Sequence, residues 1–582
     1  MTAISVQNIT KFLGGRALFE DISFTLNRRD RCGIIGRNGC GKSTLIKIIT
    51  GVMPPDEGIV VTSSGLRLGV LSQTTDFSTT SATVEEVVGQ TGAESQVVGE
   101  CLKVCGFNDR CTGAATLSGG WQKRLAFAVM LANQPDFLVL DEPTNHLDFD
   151  GLWWLGRTLS RFEGGFVMVS HDRAILREQC NQFIELSPFG FLSIRGSYEQ
   201  YRIMRVETVR RLQVEKARVK SIARRELEWL QSGVKARTTK AKARIDSATA
   251  WQERSQELNQ LLNYQEEADF KFSTSLHLSK ELLVAKKLSL PPLWEVMPEI
   301  RLLPGMRVCV VGPNGCGKST LLRILAGDLA ISSGEVRRPI SVQVGLFDQH
   351  KLLLDPNLTL QEAIIPPDNC GGDRSKFNVI SYAKRFGLQS SQMSTPVSEL
   401  SGGEKARVLL AQSMSRTVDV LLLDEPTNDL DIFARDALDF ALNDYKGAVV
   451  LVTHDRYLIE KVAVSVLGWL PPNKWEFFAD FDQWEKAFQQ VVGEQDKTEP
   501  KKTQESQEIK SNRLSGKEKK YLVELEKRVA KLEKRSAELS EQIANSGVVG
   551  KDLVKLSEEL HATNTEMEQA IEEWSQYAER EG

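Results

Sequence analysis

One set of short words is written twice along this 582-residue chain. Gly36-Arg37-Asn38-Gly39-Cys40-Gly41-Lys42-Ser43-Thr44 returns as Gly312-Pro313-Asn314-Gly315-Cys316-Gly317-Lys318-Ser319-Thr320. Leu117-Ser118-Gly119-Gly120 returns as Leu400-Ser401-Gly402-Gly403, and Asp141-Glu142-Pro143-Thr144-Asn145 as Asp424-Glu425-Pro426-Thr427-Asn428. Ser170-His171-Asp172-Arg173 returns as Thr453-His454-Asp455-Arg456. Lys42 to Lys318 and Gln73 to Gln349 are each 276 residues apart, while Ser118 to Ser401, Asp141 to Asp424 and His171 to His454 are each 283 apart. A shared register with one seven-residue length change means two homologous domains, and the chain is too long for a single core.

Each copy reads as α/β. Phe137-Leu138-Val139-Leu140 and Val420-Leu421-Leu422-Leu423 are continuous apolar runs of the kind buried parallel strands need. Cys32-Gly33-Ile34-Ile35 and Val308-Cys309-Val310-Val311 run straight into the glycine-rich words, and apolar helical stretches such as Leu45-Ile46-Lys47-Ile48-Ile49 follow. Strand, glycine loop and helix in that order give the context in which such a loop cradles phosphate.

The chemistry follows from the residue types. Glycines in GxxxxGK[ST] let backbone N–H groups close around nucleotide phosphates at a helix N-terminus. Lys42 and Lys318 would reach the β- and γ-phosphates of ATP, and Ser43 and Ser319 would ligate Mg²⁺. Asp141 and Asp424 end apolar strands, where a carboxylate can hold Mg²⁺ through water. Glu142 and Glu425 come next and would polarise the attacking water. Gln73 and Gln349 fit a position touching metal and water. His171 and His454 each lie 29 residues after their glutamate, behind an apolar strand, and suit a γ-phosphate contact. Leu-Ser-Gly-Gly offers a hydroxyl and free N–H groups to an anion, though by spacing alone it could be an ordinary helix cap.

Taken together, the words make each half resemble the nucleotide-binding domain of an ABC ATPase. The resemblance implies a head-to-tail sandwich, in which Ser118-Gly119-Gly120 closes over a nucleotide on Lys318 and Ser401-Gly402-Gly403 over one on Lys42. ATP would close the halves and hydrolysis would reopen them. Phe12 sits where the family places an adenine-stacking aromatic, whereas the 276-residue offset puts Leu288 there in the second half.

The stretch between the halves is the most unusual in composition. Residues 202–244 carry fourteen Lys and Arg against four Glu, an excess of ten in a chain of net charge −4. No proline occurs between Gly196 and Lys271, so a helix over 198–231, about 50 Å long at ~1.5 Å per residue, is expected. Ser232-Gly233 would break it, and a second helix would run back through Trp251 and Leu262. Lys235, Arg237, Lys240, Lys242 and Arg244 would then crowd a protruding tip. A charge run is often only a solvated face, but an excess this large on a projection favours nucleic-acid phosphate. Glu228-Trp229-Leu230, Gly233-Val234-Lys235-Ala236-Arg237 and Lys240-Ala241-Lys242-Ala243-Arg244 resemble the interdomain linker of ABC-F proteins. That resemblance implies entry into the ribosomal tRNA exit site and contact with peptidyl-tRNA and ribosomal RNA, for which basic side chains reading phosphate and shape are suited.

Residues 494–516 are polar and nearly free of large apolar side chains, which reads as a flexible linker. Beyond it, Leu522, Leu525, Val529, Leu532, Ser536, Leu539 and Ile543, then Leu553, Leu556, Leu560, Thr563, Met567, Ala570 and Trp574, alternate spacings of three and four on either side of a Gly547–Gly550 turn. An antiparallel coiled-coil hairpin is expected, its helices carrying +3 and −6 over 513–543 and 551–581. The tail resembles that of the Uup branch of ABC-F, for which contact with DNA is proposed; a structural or protein-binding use is equally open.

The expected architecture is α/β. Two P-loop ABC-type domains (1–195 and 269–492) are joined by a helical hairpin linker (196–268), followed by a flexible segment (493–516) and the coiled coil (517–582). Nine scattered cysteines, with only Cys101, Cys105 and Cys111 near one another, speak against a disulfide framework. No apolar run approaches the roughly 18 residues of a membrane span, and no secretory signal is visible, so the cytoplasm is the default. The expected function is an ATPase, using ATP and Mg²⁺, that acts on ribosomes in translation or large-subunit assembly. It would work as a monomer with an intramolecular sandwich and without a membrane subunit. The competing class is a DNA-associated ATPase gripping branched or repair intermediates through linker and tail. A transporter ATPase subunit is disfavoured by the basic linker, and antibiotic-resistance ABC-F proteins are a neighbouring possibility.

Overall fold

The structure is a computed structural model. It describes residues 2–14, 16–73, 77–145, 147–187, 190–231, 249–256, 258, 270, 279–291, 293–294, 296–348, 354–364, 379–414 and 417–498, with isolated positions between 528 and 566. The chain divides into two compact units, Met1–Asp496 and Lys497–Gly582. Both repeats lie in the first. The described positions of the second, such as Arg528 and Glu559, are helical.

In the first repeat β1 (Thr2–Leu13), β2 (Arg16–Asn27) and β4 (Glu57–Thr62) form an antiparallel sheet of order β2-β1-β4. A six-stranded sheet, β5-β6-β7-β3-β8-β9, is built from β3 (Arg31–Gly36), β5 (Leu68–Leu71), β6 (Phe137–Asp141), β7 (Gly165–Val169), β8 (Gln182–Ser187) and β9 (Gly190–Arg195). Its strands are parallel except for the final β8–β9 hairpin. The apolar words are buried from end to end in β6 and β7, as a sheet covered on both faces requires. Helices α1 (Lys42–Ile49), α2 (Val84–Gly89), α3 (Ser95–Val104), α4 (Gly119–Ala132), α5 (Phe149–Arg161) and α6 (Arg173–Gln179) complete the domain.

The second repeat copies this plan. β10 (Leu283–Ser289), β11 (Ile300–Leu302) and β13 (Ser333–Arg337) make the small sheet. β12 (Arg307–Val311), β14 (Val344–Asp348), β15 (Val420–Asp424), β16 (Ala448–Val452), β17 (Ser465–Leu470) and β18 (Lys474–Phe478) make the large one, in the order β14-β15-β16-β12-β17-β18.

The linker helix α7 covers Tyr198–Gln231, the span its composition suggests. Its root is set into the first domain: Tyr198 and Tyr201 are buried beside Phe183, and Tyr201 Oη donates to Glu185 Oε2 at 2.7 Å. The second repeat's helices are α8 (Lys318–Ala326), α9 (Leu360–Ile364), α10 (Val379–Arg385), α11 (Gly402–Met414), α12 (Ile432–Asp444), α13 (Arg456–Val462) and α14 (Phe481–Thr498). Among these, α14 stands where α7 does in the first repeat, 283 residues on. It carries helix-forming Glu494 to Lys497 six residues past the boundary that composition places at 492.

One expectation is corrected by strand register. Asn8 and Lys287 both take positive φ, 49° and 50°, at the bulges in β1 and β10, and their carbonyls crowd Gly58 and Gly334 in the same way. Thr10 pairs with Glu57 as Ser289 pairs with Ser333. The offset here is therefore 279, not 276, and the counterpart of Phe12 is the exposed Pro291. Leu288 is fully buried in the core. Phe12 itself is 44% exposed at the end of β1.

The linker-tip residues Lys235, Arg237, Lys240, Lys242 and Arg244, together with Gln349, lie outside the described residues. So does most of the coiled coil. The returning linker helix is described over 249–256, including Trp251.

Candidate functional site

The glycine loops end β3 and β12 and deliver Lys42 and Lys318 as the first residues of α1 and α8. The capping glycines, Gly41 and Gly317, both have φ of 95°, and a Cβ on either would press into Phe19 or Trp294. Only glycine can hold this turn. Each lysine folds back on its own loop. Lys42 Nζ donates to the carbonyls of Gly36 (2.9 Å) and Arg37 (3.0 Å), and Lys318 Nζ to those of Gly312 (2.8 Å) and Pro313 (2.9 Å). Cys40 and Cys316 are buried behind the loops. Asp141, at the end of β6, has the hydroxyl of Ser43 among the groups that favour its charged form.

The glutamates carry backbone strain. Glu142 has φ of 48° and Glu425 of 46°, a region that residues with a Cβ rarely visit. Their N–H groups are tied to Val169 O and Val452 O, both at 2.9 Å, so the strained turn is fixed by the neighbouring strand. His171 Nε2 lies 3.3 Å from Glu142 Oε1, and His454 Nε2 lies 3.5 Å from Glu425 Oε1 and 3.2 Å from Asn314 Oδ1.

Burial sets the protonation states. It pushes Glu142 up to about 7, against the opposing charges of Lys42, Arg435 and Lys123, and Glu425 up to about 8. It also raises Asp141 and holds both histidines well below their ordinary range, with Lys42 and Arg435 adding to the effect at His171 and Lys318 at His454. The imidazoles are neutral. Asp141 Oδ1, Glu142 Oε2, His171 Nδ1, Glu425 Oε1 and His454 Nδ1 are buried without a hydrogen-bond partner. Such groups cost free energy unless something polar meets them. A magnesium nucleotide fits: carboxylate oxygens for a hydrated cation, a lysine for phosphate, and a base beside it.

The two repeats complete each other head to tail. Ser118, Gly119 and Gly120, at the start of α4, line one cavity of about 1130 Å³ with Lys318, Ser319, Asp424, Glu425 and His454. On the opposite side Gly403 packs so tightly on Asn38 that a Cβ there would collide with the amide. Asn38 Nδ2 donates to Asp429 O at 2.8 Å, and Asn38 N to Asp431 Oδ2 at 3.4 Å. The two Leu-Ser-Gly-Gly words differ. Ser401 sits in a reciprocal cap with Glu404, donating from Oγ to Oε2 at 2.7 Å, whereas Trp121 stands in place of that glutamate and Ser118 makes no side-chain cap bond. Gln73 is exposed just beyond β5.

The comparisons agree with this geometry. The ABC transporter family matches residues 19–145 and 298–428, and the ABC transporter C-terminal domain matches 513–579. The ATP-binding protein Uup of Caulobacter vibrioides is 33% identical over 472 residues, covering 78% of this chain and 75% of that protein. The energy-dependent translational throttle protein EttA of Escherichia coli O6:H1 is 30% identical, covering 84% of this chain and 95% of that one. The chain belongs to the ABC-F family. It is an ABC ATPase, with ATP hydrolysis as its general activity. An archaeal ribosome recycling factor, aABCE1, solved with the ribosomal stalk protein aP1, shares its fold with a TM-score of 0.59 at 20% identity, over 84% of this chain and 92% of that one. Among the described residues no helix is long and apolar enough to cross a membrane, and no cluster of His, Cys, Asp and Glu could hold a metal alone. Cys101 and Cys105 are buried free thiols and Cys111 an exposed one.

Arg173 and Asp455 stand in the repeated words of this ABC-F protein, but Arg435, Asp436 and Asp439, which join its halves with them, belong to no motif. Arg173 is fully buried and bonds Asp436, Asp439 and Asp455 across the interface, and Arg435 donates to the carbonyl of His171 at 3.0 Å. The signal lay in the differences between the repeats. At the 283-residue offset Arg435 faces Leu152, Asp436 faces Trp153 and Asp439 faces Gly156.

Proposed function

We propose that this chain is an ATP-driven clamp that binds ribosomes through its basic interdomain linker and acts in translation or large-subunit assembly. In this reading Lys42 and Lys318 take the β- and γ-phosphates. Ser43 and Ser319 ligate Mg²⁺, Asp141 and Asp424 hold it through water, and Gln73 and Gln349 touch metal and water. Glu142 and Glu425 activate water, while His171 and His454 contact the γ-phosphate. Ser118-Gly119-Gly120 and Ser401-Gly402-Gly403 close over the nucleotide of the opposite repeat.

The observation that carries the ribosomal reading is the build of α7. Its root is locked between the two ATPase domains: Arg202 Nη1 donates to Tyr457 Oη at 2.5 Å, and Arg205 lies 4.1 Å over the ring of Phe433. Its outer part presents exposed Arg210, Arg211, Arg218, Lys220, Arg224 and Arg225. A basic rod seated on the closing interface is suited to transmit nucleotide state to an RNA partner. The similarity to a translational throttle supports the same direction.

The test is sedimentation of lysate holding the Glu142→Gln, Glu425→Gln double variant through a sucrose gradient with ATP. Co-migration with ribosomes or large subunits is expected, and should be lost when Lys235, Arg237, Lys240, Lys242 and Arg244 become Ala. If the double variant stays at the top of the gradient, the ribosomal reading fails and branched DNA becomes the substrate to test next.

A further inference from the structure

Each of the two histidines is braced by the opposite repeat, and the two braces differ chemically. At the Lys42 site, Arg435 from the first turn of α12 reaches across. Its Nη1 donates to His171 O (3.0 Å) and to Asp455 Oδ2 (3.4 Å), and its Nε to Leu430 O (3.2 Å). Its side chain is only 13% exposed. At the Lys318 site, Phe149 opens α5 and sets its ring at 63° to the imidazole of His454, with centroids 4.8 Å apart. Phe149 is 2% exposed and belongs to the second repeat's core.

Neither device is duplicated. At the 283-residue offset Arg435 corresponds to Leu152 and Phe149 to Ile432. We propose that Arg435 and Phe149 are trans-acting positioning residues, Arg435 for the Lys42 site and Phe149 for the Lys318 site. Each fixes its histidine beside its glutamate only while the repeats are together. Arg435 anchors the histidine's backbone, with directional hydrogen bonding. Phe149 restrains the ring itself, by van der Waals and edge contact. The charge distribution is consistent with this division: Lys42 and, after it, Arg435 act on Glu142 and His171, while Lys318 is the cation that acts on Glu425 and His454. The two sites are therefore assembled by closure in two ways, one polar and one apolar.

The inference rests on reading His171, His454, Glu142 and Glu425 as the reacting groups. The experiment is single-turnover ATP hydrolysis with Mg²⁺ by the full chain, with one site silenced in each of two backgrounds. Each brace is replaced by its own counterpart. Arg435→Leu in the Glu425→Gln background should slow hydrolysis about tenfold or more while the half-saturating ATP concentration moves less than about threefold, since a misplaced group costs turnover before binding. In the Glu142→Gln background the same change should alter the rate less than about twofold. Phe149→Ile should show the reverse pattern, and Arg435→Lys, which keeps a cationic donor group, should recover most of the rate.

Equal losses in both backgrounds would make these residues simple interface packing and overturn the proposal, as would no loss in either. Thermal melts accompany each variant, with Phe149→Leu replacing Phe149→Ile if the latter does not fold. If the single Glu→Gln variants keep full turnover, the base assignment fails instead. Arg435→Leu in the otherwise unaltered chain then decides the matter: a rate loss at constant half-saturation that Lys rescues sustains positioning, and an unchanged rate refutes it.

Discussion

Glu142 and Glu425 combine two costs in one residue, a left-handed backbone and a buried carboxyl, and both costs have a measurable consequence. Their ordinary value is 4.5, and burial raises them to about 7 and about 8 in the folded chain. Between those limits these two groups hold more protons in the folded state than in the unfolded one, so their contribution to stability falls as pH rises from about 4.5 towards 8 and levels off above. His171 and His454, held below their ordinary 6.5, add the opposite slope below that pH, so without nucleotide and in chelator the melting temperature should decline chiefly from pH 7 to 8.5. The Glu142→Gln, Glu425→Gln variant should decline less and melt higher at pH 8.5. Asp141 and Asp172, also raised by burial, contribute the same sign to both proteins, so the difference between the two curves isolates the glutamates. Parallel curves would show that burial of these carboxyls is not what destabilises the ligand-free site. The motif residues were legible because their chemistry demands fixed spacing. A uniform 276-residue offset points to Leu288 instead of Pro291 because a three-residue slip lies upstream of the glycine loop, where only the bulges at Asn8 and Lys287 mark the register.

Among the elements, α7 and α14 show what periodicity and composition can and cannot give. The extent of α7 was readable from its helix-forming, proline-free sequence. Its seat was not, because that depends on an exchange between repeats: Arg202 and Arg205 of α7 lie on Tyr457 and Phe433, while Phe481, Trp484 and Phe488 of α14 lie on Phe149 and Trp153. The pin of α7 is Glu185 on β8, 7% exposed, which accepts from Tyr201 Oη at 2.7 Å and Arg205 Nε at 3.4 Å. Glu185→Ala would leave the buried Tyr201 phenol without its acceptor and take one ion-pair partner from Arg205, a loss of about 2 kcal/mol. It should lower the melting temperature and speed amide exchange over 198–212. Glu185→Gln, which can still accept from Tyr201, should lose about half as much. Unchanged exchange at the root of α7 in Glu185→Ala would mean that the tyrosine packing alone holds it.

At the scale of the molecule, the question is what keeps two similar domains together before nucleotide arrives. Arg173 is the strongest candidate: it has no exposed surface, bonds Asp439 through both terminal nitrogens, Asp455 through Nη2 at 3.0 Å and Asp436 through Nη1 at 2.8 Å, and lies 4.3 Å over the ring of Tyr457. Its counterpart Arg456 makes longer ion pairs, at 3.5 Å, with Glu178 and Glu485. Removing a partner from a buried ion cluster costs more than the cluster's net worth, because the remaining charges stay dry and unpaired. Arg173→Met should therefore open the resting molecule, seen as a larger radius of gyration in solution scattering without ATP. It should raise the ATP concentration for half-maximal hydrolysis several-fold, on the order of 1 kcal/mol of closing free energy that nucleotide must supply. Adding Asp439→Leu to Arg173→Met should recover part of both effects, since it removes an orphaned carboxylate and replaces it with a side chain that packs. If Arg173→Met scatters and hydrolyses ATP like the parent, the aromatic contacts of α14 with α5 hold the halves together, and the arginine cluster only selects their register.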